Sequence, residues 1–279
     1  MTLIVGADYG SEILMIADTR VSVDEKYGIP PKDMLRKLVF IDFFQRRAVL
    51  GFSGNIYAIK KIIESVSRKA KYFKSSGSLK EDIQRWIEEA IKMERQRHHL
   101  QFMLCDFDAT EKSHIYVYET KENGEVQLQL QGTINIVGPG GHPGRGKVAV
   151  IGSGSKLKRR IHETTLMSSG NPKKYKNFEA YSNVRALMAT DIIAAEFEDI
   201  KSKDVGGPFV MARIRPNECI GPHYLWPDRV DSSDVQVTMD NEKTVLYKPS
   251  TNEKYILFSI HNYNDADFYQ YDNASAGLK

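Results

Sequence analysis

The architecture of this chain is indicated by its opening residues, TLIVGADYGSEILMIADTRVS, which span Thr2–Ser22. Ile, Val and Leu dominate two runs, Thr2–Tyr9 and Ile13–Ala17, and the residues Tyr9-Gly10-Ser11-Glu12 separate them. Short apolar runs on either side of a glycine-containing turn are typical of a β-hairpin. We therefore predict that the fold begins with two antiparallel strands.

A second strand pair and two helices are predicted next. The strands are Lys37–Phe43 and Arg47–Phe52, and Gly54 ends the pair. Apolar residues then recur at helical spacing from Ile56 to Val66. Ser78, with Glu three residues later, forms a capping-box pattern, so a second helix is predicted over Ser78–His98.

Strands and helices alternate again in the second half of the chain. Helices are predicted at Lys156–Thr165 and Tyr181–Phe197, and a strand is predicted at Phe209–Ile214. Five strands are predicted before them: Phe102–Asp106, His114–Tyr118, Val126–Leu130, Ile134–Val137 and Val148–Ile151. This order fits an α+β fold in which two sheets lie between helical layers, a four-layer αββα sandwich. We assign residues 2–214 to that domain and residues 215–279 to a β-rich C-terminal extension.

Composition excludes several classes of protein. The 279 residues are 41% hydrophobic and 27% charged with a formal net charge of +3, which favours no acidic partner. No apolar run is long enough for a membrane span, and the two cysteines are too few for a disulfide framework. We therefore expect a cytoplasmic protein that contacts no membrane and no nucleic acid.

Thr2 is a candidate catalytic residue. A small side chain after the initiator Met allows that Met to be removed, which would leave Thr2 with both a hydroxyl and a free α-amine. The amine has a reference pKa of about 7.7–8.0 and is partly neutral near pH 7. One residue can therefore supply a nucleophile and its own base.

The spacing of several further segments resembles proteasome β subunits of the bacterial or archaeal type, which belong to the N-terminal nucleophile (Ntn) hydrolases. The segments are Thr2-Leu-Ile-Val, Ile13 to Ser22 with its Asp18-Thr-Arg20 element, Lys37-Leu-Val-Phe-Ile, and Gly51-Phe-Ser-Gly54. The resemblance covers roughly Thr2–Ile214. It implies the Ntn-hydrolase fold, a threonine peptidase that cleaves a peptide or protein substrate, no metal or other cofactor, and a homo-oligomer.

The resemblance also implies a role for each matching residue. Thr2 matches the nucleophile, Asp18 and Lys37 match the acid and the lysine beside it, and Ser153 matches a serine that hydrogen-bonds the terminal amine. Gly54 matches the glycine whose backbone N–H binds the oxyanion, and the substrate cleft is implied to include Arg20, Ser22 and Phe52. An ammonium near the threonine amine would lower the pKa of that amine toward neutrality.

The chain departs from the family pattern in places, and two alternative functions stay open. The late Asp-x-x-Ser-Gly-Gly pattern is replaced by Ser202-Lys-Asp-Val-Gly-Gly207, and the extension 215–279 lies outside the resemblance. A small-molecule amidohydrolase on the same fold is one alternative, since fold does not determine substrate. A non-catalytic scaffold subunit is the other.

Overall fold

The computed structural model describes residues 2–22, 32–43, 46–73, 79–93, 98–108, 110–121, 123–130, 134–137, 143–152, 174–200, 205–225, 235–239 and 243–264. Within these ranges the structure is α+β. The helices are α1 (Ile56–Lys71), α2 (Leu79–Lys92) and α3 (Phe178–Ile200). The strands are β1 (Leu3–Asp8), β2 (Ile13–Ala17), β3 (Arg20–Val21), β4 (Lys32–Asp33), β5 (Leu38–Phe43), β6 (Arg46–Ser53), β7 (Gln101–Phe107), β8 (Ser113–Thr120), β9 (Val126–Leu130), β10 (Ile134–Val137), β11 (Pro143–Gly152), β12 (Phe209–Arg215), β13 (Glu218–Leu225), β14 (Gln236–Met239), β15 (Lys243–Lys248) and β16 (Glu253–Phe258).

Two large antiparallel sheets form the centre of the molecule. One has the order β10-β11-β1-β2-β12-β13, and the other has the order β5-β6-β7-β8-β9. A three-stranded sheet, β14-β15-β16, and the short pair β3-β4 lie beside them. The first hairpin is confirmed, because β1 pairs with β2 in a register that places Ile4 opposite Ala17.

Three hydrophobic clusters show what packs against each sheet. The first joins α1 and α2 to the five-stranded sheet, with Ile59 and Ile87 among its fully buried residues. The second lies between the two sheets and includes Ile4 and Met103. The third joins the six-stranded sheet to α3, where Ala189 is fully buried. Each large sheet therefore has one face against the other sheet and one face against helix.

The sequence patterns located most elements, but some bounds differ and some predicted residues lie outside the described ranges. Helix α2 ends at Lys92, whereas its end was predicted at His98. Its predicted N-cap, Ser78, lies outside the described residues. Strand β13 was not predicted, because Glu218–Leu225 contains Gly and Pro and has no clear alternation. The helix predicted at 156–165 also lies outside the described residues.

A buried ion cluster joins the turn of the first hairpin to α3. Glu12 is fully buried and accepts hydrogen bonds from Ser182 Oγ at 2.7 Å, Arg185 at 2.8 Å and Arg215 at 2.8 Å. Burial alone raises the pKa of Glu12, but these donors outweigh it, so the pKa lies below the ordinary 4.5. The cluster fixes α3 against the end of the hairpin that is farther from Thr2.

The C-terminal strands pack into the same core. Leu246 and Leu257 belong to the cluster between the sheets, and Ile260 and Tyr263 belong to the cluster beneath α1 and α2. Lys60 Nζ also donates to Tyr263 O at 2.9 Å. The predicted boundary after residue 214 falls inside β12, one residue before that strand ends at Arg215, and β12 pairs with β13 in one sheet. In the described part of the chain, none of the helices has the length and apolar character needed to cross a membrane.

Candidate active site

The first hairpin places Asp18 beside the backbone that follows Thr2. Leu3 N–H donates to Asp18 Oδ1 at 2.9 Å, and Asp18 N–H donates back to Leu3 O at 3.1 Å. Both contacts follow from the β1–β2 register, since residue 18 directly follows Ala17. Thr2 itself is 7% exposed. A carboxylate is therefore fixed one residue away from the predicted nucleophile.

Lys37 reaches the same carboxylate oxygen from the other sheet. Its Nζ lies 2.9 Å from Asp18 Oδ1 and donates a second hydrogen bond to Arg20 O at 2.5 Å. Lys37 comes directly before Leu38, the first residue of β5, so its position depends on how the two sheets pack. The side chains of Lys37 and Asp18 are 4% and 0% exposed. The predicted acid and lysine thus form a buried ion pair.

The electrostatics of this pair are dominated by burial. Burial raises the pKa of Asp18 above its ordinary value, against the opposing effect of the Lys37 ammonium. Burial likewise lowers the pKa of Lys37, and the Asp18 carboxylate opposes that shift. Each group therefore depends on the other to stay charged in a site that excludes water.

The end of β11 closes against Thr2. Gly152 has φ of 85°, and a Cβ at that position would lie 1.9 Å from Thr2 O and 3.2 Å from Ser53 Oγ. Only glycine allows so close an approach at this φ. Gly152 N–H donates to Gln101 Oε1 at 2.8 Å, which ties β11 to the other sheet. Thr2, Gly152 and Ser53, the residue before Gly54, therefore meet at one place.

Gly54 and Phe52 occupy different environments although they are two residues apart. Gly54 is exposed, has φ of 127°, and a Cβ there would lie 2.7 Å from His99 O. Asn55 then caps α1, its side chain accepting from Ala58 N–H at 3.1 Å. Phe52 is 2% exposed within the core beneath the helices. Their roles in oxyanion and substrate binding stay predictions.

Arg20 is engaged by a partner that the sequence did not reveal. Its guanidinium forms two hydrogen bonds to the Asp33 carboxylate, at 2.7 Å and 3.0 Å, and contacts Val205 O at 3.4 Å. Ser22 follows β3 and is partly buried. Both residues keep their cleft roles only as predictions. Ser153 lies outside the described residues, directly after Gly152.

Sequence reasoning also missed a polar chain that begins at Gly152. Gln101 accepts from Gly152 N–H and donates from Nε2 to Glu119 Oε1 at 3.1 Å. Glu119 also accepts from Gln129 Nε2 at 2.5 Å. No motif distinguishes a glutamine at the start of an ordinary apolar strand, so only the three-dimensional arrangement reveals it.

One cavity among the described residues lies apart from this site. A cavity of about 690 Å³ lies between α2 and β9 and is lined by residues such as Gln84, Glu88 and Lys121, away from the Asp18–Lys37 pair. Over the ranges given above, no group of three His, Cys, Asp or Glu side chains is arranged to hold a metal ion.

Comparison with solved structures identifies proteins of similar fold. An Anbu protein from Yersinia bercovieri, described as an ancestral beta-subunit, matches with a TM-score of 0.53 at 15% identity, over 82% of this chain and 88% of that one. An Anbu (Gly-1) mutant from Hyphomicrobium sp. strain MC1 matches with a TM-score of 0.51 at 13% identity, over 82% and 88%. The Anbu complex from Pseudomonas aeruginosa, described as a helical assembly, matches with a TM-score of 0.51 at 14% identity, over 83% and 88%. No family model and no curated protein matches the chain.

These matches correct the family expected from the sequence. The matching structures are Anbu proteins, which are Ntn-hydrolase-like but distinct from the proteasome β subunits of the bacterial or archaeal type. The prediction of the proteasome β family was therefore wrong. Its motifs, a Met-Thr start and an Asp-x-Arg element after the second strand, are too short to separate one such family from another. At identities of 13–15% the match establishes a shared fold.

Proposed function

We propose that this protein is an N-terminal threonine hydrolase that cleaves amide bonds, with peptides as its substrate class. The proposal rests on the two hydrogen bonds that Asp18 Oδ1 accepts. Leu3 N–H and Lys37 Nζ each donate to this oxygen at 2.9 Å, so it links the backbone next to Thr2 to a buried ammonium. An ammonium near a terminal amine lowers the pKa of that amine, which helps a threonine amine to act as the base for its own hydroxyl.

The proposed reaction needs Met1 to be removed. The neutral α-amine of Thr2 then takes the proton of the Thr2 hydroxyl, and Oγ attacks the scissile carbonyl carbon. As the tetrahedral intermediate collapses, the protonated amine returns the proton to the leaving nitrogen, and an ester of Thr2 remains. Water hydrolyses that ester and regenerates Thr2.

The surrounding residues have distinct parts in this proposal. Lys37 lowers the pKa of the α-amine so that it is neutral near pH 7, and Asp18 keeps Lys37 charged and in place. The backbone N–H of Gly54 would bind the oxyanion, a contribution of about 3–4 kcal/mol to the barrier. The meeting of Ser53 with Gly152 and Thr2 supports that placement. Ser153 is proposed to hydrogen-bond the amine, and Arg20, Ser22 and Phe52 are proposed to form the cleft.

The test uses an electrophile that captures N-terminal threonine, such as a peptide epoxyketone, and intact mass spectrometry. We expect untagged protein to lack Met1 and to gain one inhibitor mass at Thr2. Thr2→Ser should still be captured, whereas Thr2→Ala and Lys37→Met should not. Retention of Met1, or capture that persists in Thr2→Ala, would refute the proposal.

The test also separates the substrate classes. Turnover of fluorogenic peptides supports a peptidase, whereas capture by a small electrophile with no peptide turnover supports the small-molecule amidohydrolase. A non-catalytic scaffold would show neither. The scaffold alternative draws on the Pseudomonas aeruginosa protein, which is described as a helical assembly.

Two further features belong to the proposal. We infer an αββα order of layers, because each large sheet has one face against its partner sheet and one against helix. We also infer a homo-oligomer in the cytoplasm, because the Pseudomonas aeruginosa Anbu complex of similar fold is described as a helical assembly and both cysteines here are free thiols. Light scattering at micromolar concentration tests the assembly, and a monomer of 31.7 kDa would refute it.

A further inference from the structure

The segment that leads into Lys37 is held on one side by the C-terminal part of the chain. Phe258 N–H donates to Met34 O at 2.8 Å, and Arg36 N–H donates to Phe258 O at 2.9 Å. The backbone of Phe258 thus makes a parallel bridge with residues 34–36. The last residue of β16 is therefore bonded directly to the residue before Lys37.

The same segment is held on its other side by the residue after Asp18. Met34 N–H and Leu35 N–H both donate to Thr19 O, each at 3.1 Å. Met34, Leu35 and Thr19 are all fully buried. Residues 34–36 therefore lie between the backbone beside Asp18 and the backbone of Phe258, and a shift of either support would move Lys37 relative to its carboxylate.

The side chain of Arg36 provides a second link to the C-terminal strands. Its Nη1 lies 3.4 Å from Tyr224 Oη and 3.4 Å from Thr244 Oγ1, and these two hydroxyls are 3.1 Å apart. Thr244 is fully buried in β15. Leu246, two residues further along β15, packs in the same cluster as Leu38, the residue after Lys37. The residue before Lys37 therefore bonds to the C-terminal strands, and the residue after Lys37 belongs to the same core cluster as Leu246.

We propose that β15 and β16 are a positioning element for the reaction: Phe258 through its backbone, and Thr244 through Arg36, hold Lys37 against Asp18. This inference rests on the proposed function, because it assigns the strands a part in activating Thr2. Small displacements of a catalytic group lower rates steeply, by about 100-fold for about 1 Å. The C-terminal strands would then affect the chemistry without touching the substrate.

The experiment compares Thr244→Val and Arg36→Met with wild type in the full-length protein. Tyr247→Phe is the matched control, because it also removes a hydroxyl from β15. That hydroxyl donates to Asn252, which lies at the exposed end of the sheet. The readout is the rate constant for capture of Thr2 by the peptide epoxyketone, measured across pH, with the melting temperature measured in parallel. Capture needs a neutral α-amine, so its pH midpoint reports the pKa of that amine.

We expect capture to slow by roughly threefold in Thr244→Val and roughly tenfold in Arg36→Met. The pH midpoint should rise by about half a unit in both, because a displaced Lys37 lowers the pKa of the amine less. Tyr247→Phe should match wild type in both quantities.

Variants that melt earlier but keep the wild-type rate constant and pH midpoint would show that the strands are only structural, and would overturn the inference. Absence of capture in wild type would overturn the proposed function and this inference together. The wild-type measurement alone therefore distinguishes the two failures.

Discussion

Replacing Lys37 by methionine should destabilise the protein strongly at neutral pH. Methionine keeps most of the length of the side chain but removes the charge and the donor to Arg20 O. At 2.9 Å and an effective dielectric constant of about 20, the lost attraction to Asp18 is about 6 kcal/mol. Asp18 would stay fully buried. Breaking one side of a buried pair typically costs about 3–5 kcal/mol, and we expect a loss in that range.

The loss should depend on pH in a defined direction. Without Lys37, the pKa of Asp18 rises further above the value for an unfolded aspartate, because burial already raises it in the intact pair. A carboxyl group whose pKa is raised on folding does not destabilise the folded state below its unfolded pKa of about 3.9, where it is protonated in both states. Its destabilising effect grows as the pH rises from there toward the folded pKa. The difference between Lys37→Met and wild type should therefore be smaller at pH 4 than at pH 7.

Urea unfolding at both pH values provides the measurement, with the double variant Asp18→Asn/Lys37→Met as control. Asparagine keeps an acceptor for Leu3 N–H and carries no charge, so the double variant should recover most of the lost stability. It should remain inactive. A single variant within about 1 kcal/mol of wild type at pH 7, or a double variant no more stable than the single one, would refute the reasoning.

Three further predictions concern the elements around this site. Gly152→Ala should lower the free energy of unfolding by about 3 kcal/mol or more, because its Cβ would lie 1.9 Å from a backbone oxygen. Gly10→Ala, at the same φ of 85° but with nothing within 4 Å, should lower it by only about 1 kcal/mol, and equal losses in urea would contradict this account. Glu12→Gln should lower the free energy of unfolding by about 3 kcal/mol at pH 7 and by less at pH 3. The reason is that a carboxyl group with a lowered pKa stabilises the fold only while it is ionised, and this stability is lost as the pH falls through that pKa. Equal losses at both pH values would exclude this explanation. Cys105 and Cys219 should react with iodoacetamide at pH 8 at less than about a tenth of the rate of a free cysteine peptide. Burial raises the pKa of the Cys105 thiol well above 9 and that of the Cys219 thiol to about 12. Rapid labelling of the folded protein would contradict these raised pKa values.

The order of elements was accessible from sequence because it is encoded locally. Short apolar runs on either side of a turn indicate β1 and β2, and helical spacing locates α1. Helix α2 was predicted to be too long because its polar C-terminal residues continue to have good helix propensity beyond Lys92. Strand β13 was missed because its stability comes from pairing with β12, which no local pattern reports.

The candidate site was predictable only in part for a related reason. Asp18 and Lys37 carried a motif, whereas the partners that hold the site together carried none. Asp33 pairs with Arg20, which lies 13 residues earlier, and Phe258 reaches Arg36 from the other end of the chain. Contacts between residues so far apart in sequence arise from the tertiary fold, and a single sequence does not encode them as a spacing.

The two buried ion clusters at opposite ends of the first hairpin shift the pKa of their carboxyl groups in opposite directions. At Glu12 the donors outweigh burial and the pKa is lowered, so ionisation of this group stabilises the fold. At Asp18 burial outweighs the Lys37 ammonium and the pKa is raised, so ionisation there opposes folding. An apolar pair of similar volume often serves stability as well or better at such a position. Stability alone therefore does not account for the Asp18–Lys37 pair. Its place beside the backbone that follows Thr2 agrees with the proposed function, since groups with perturbed pKa values cluster at functional sites.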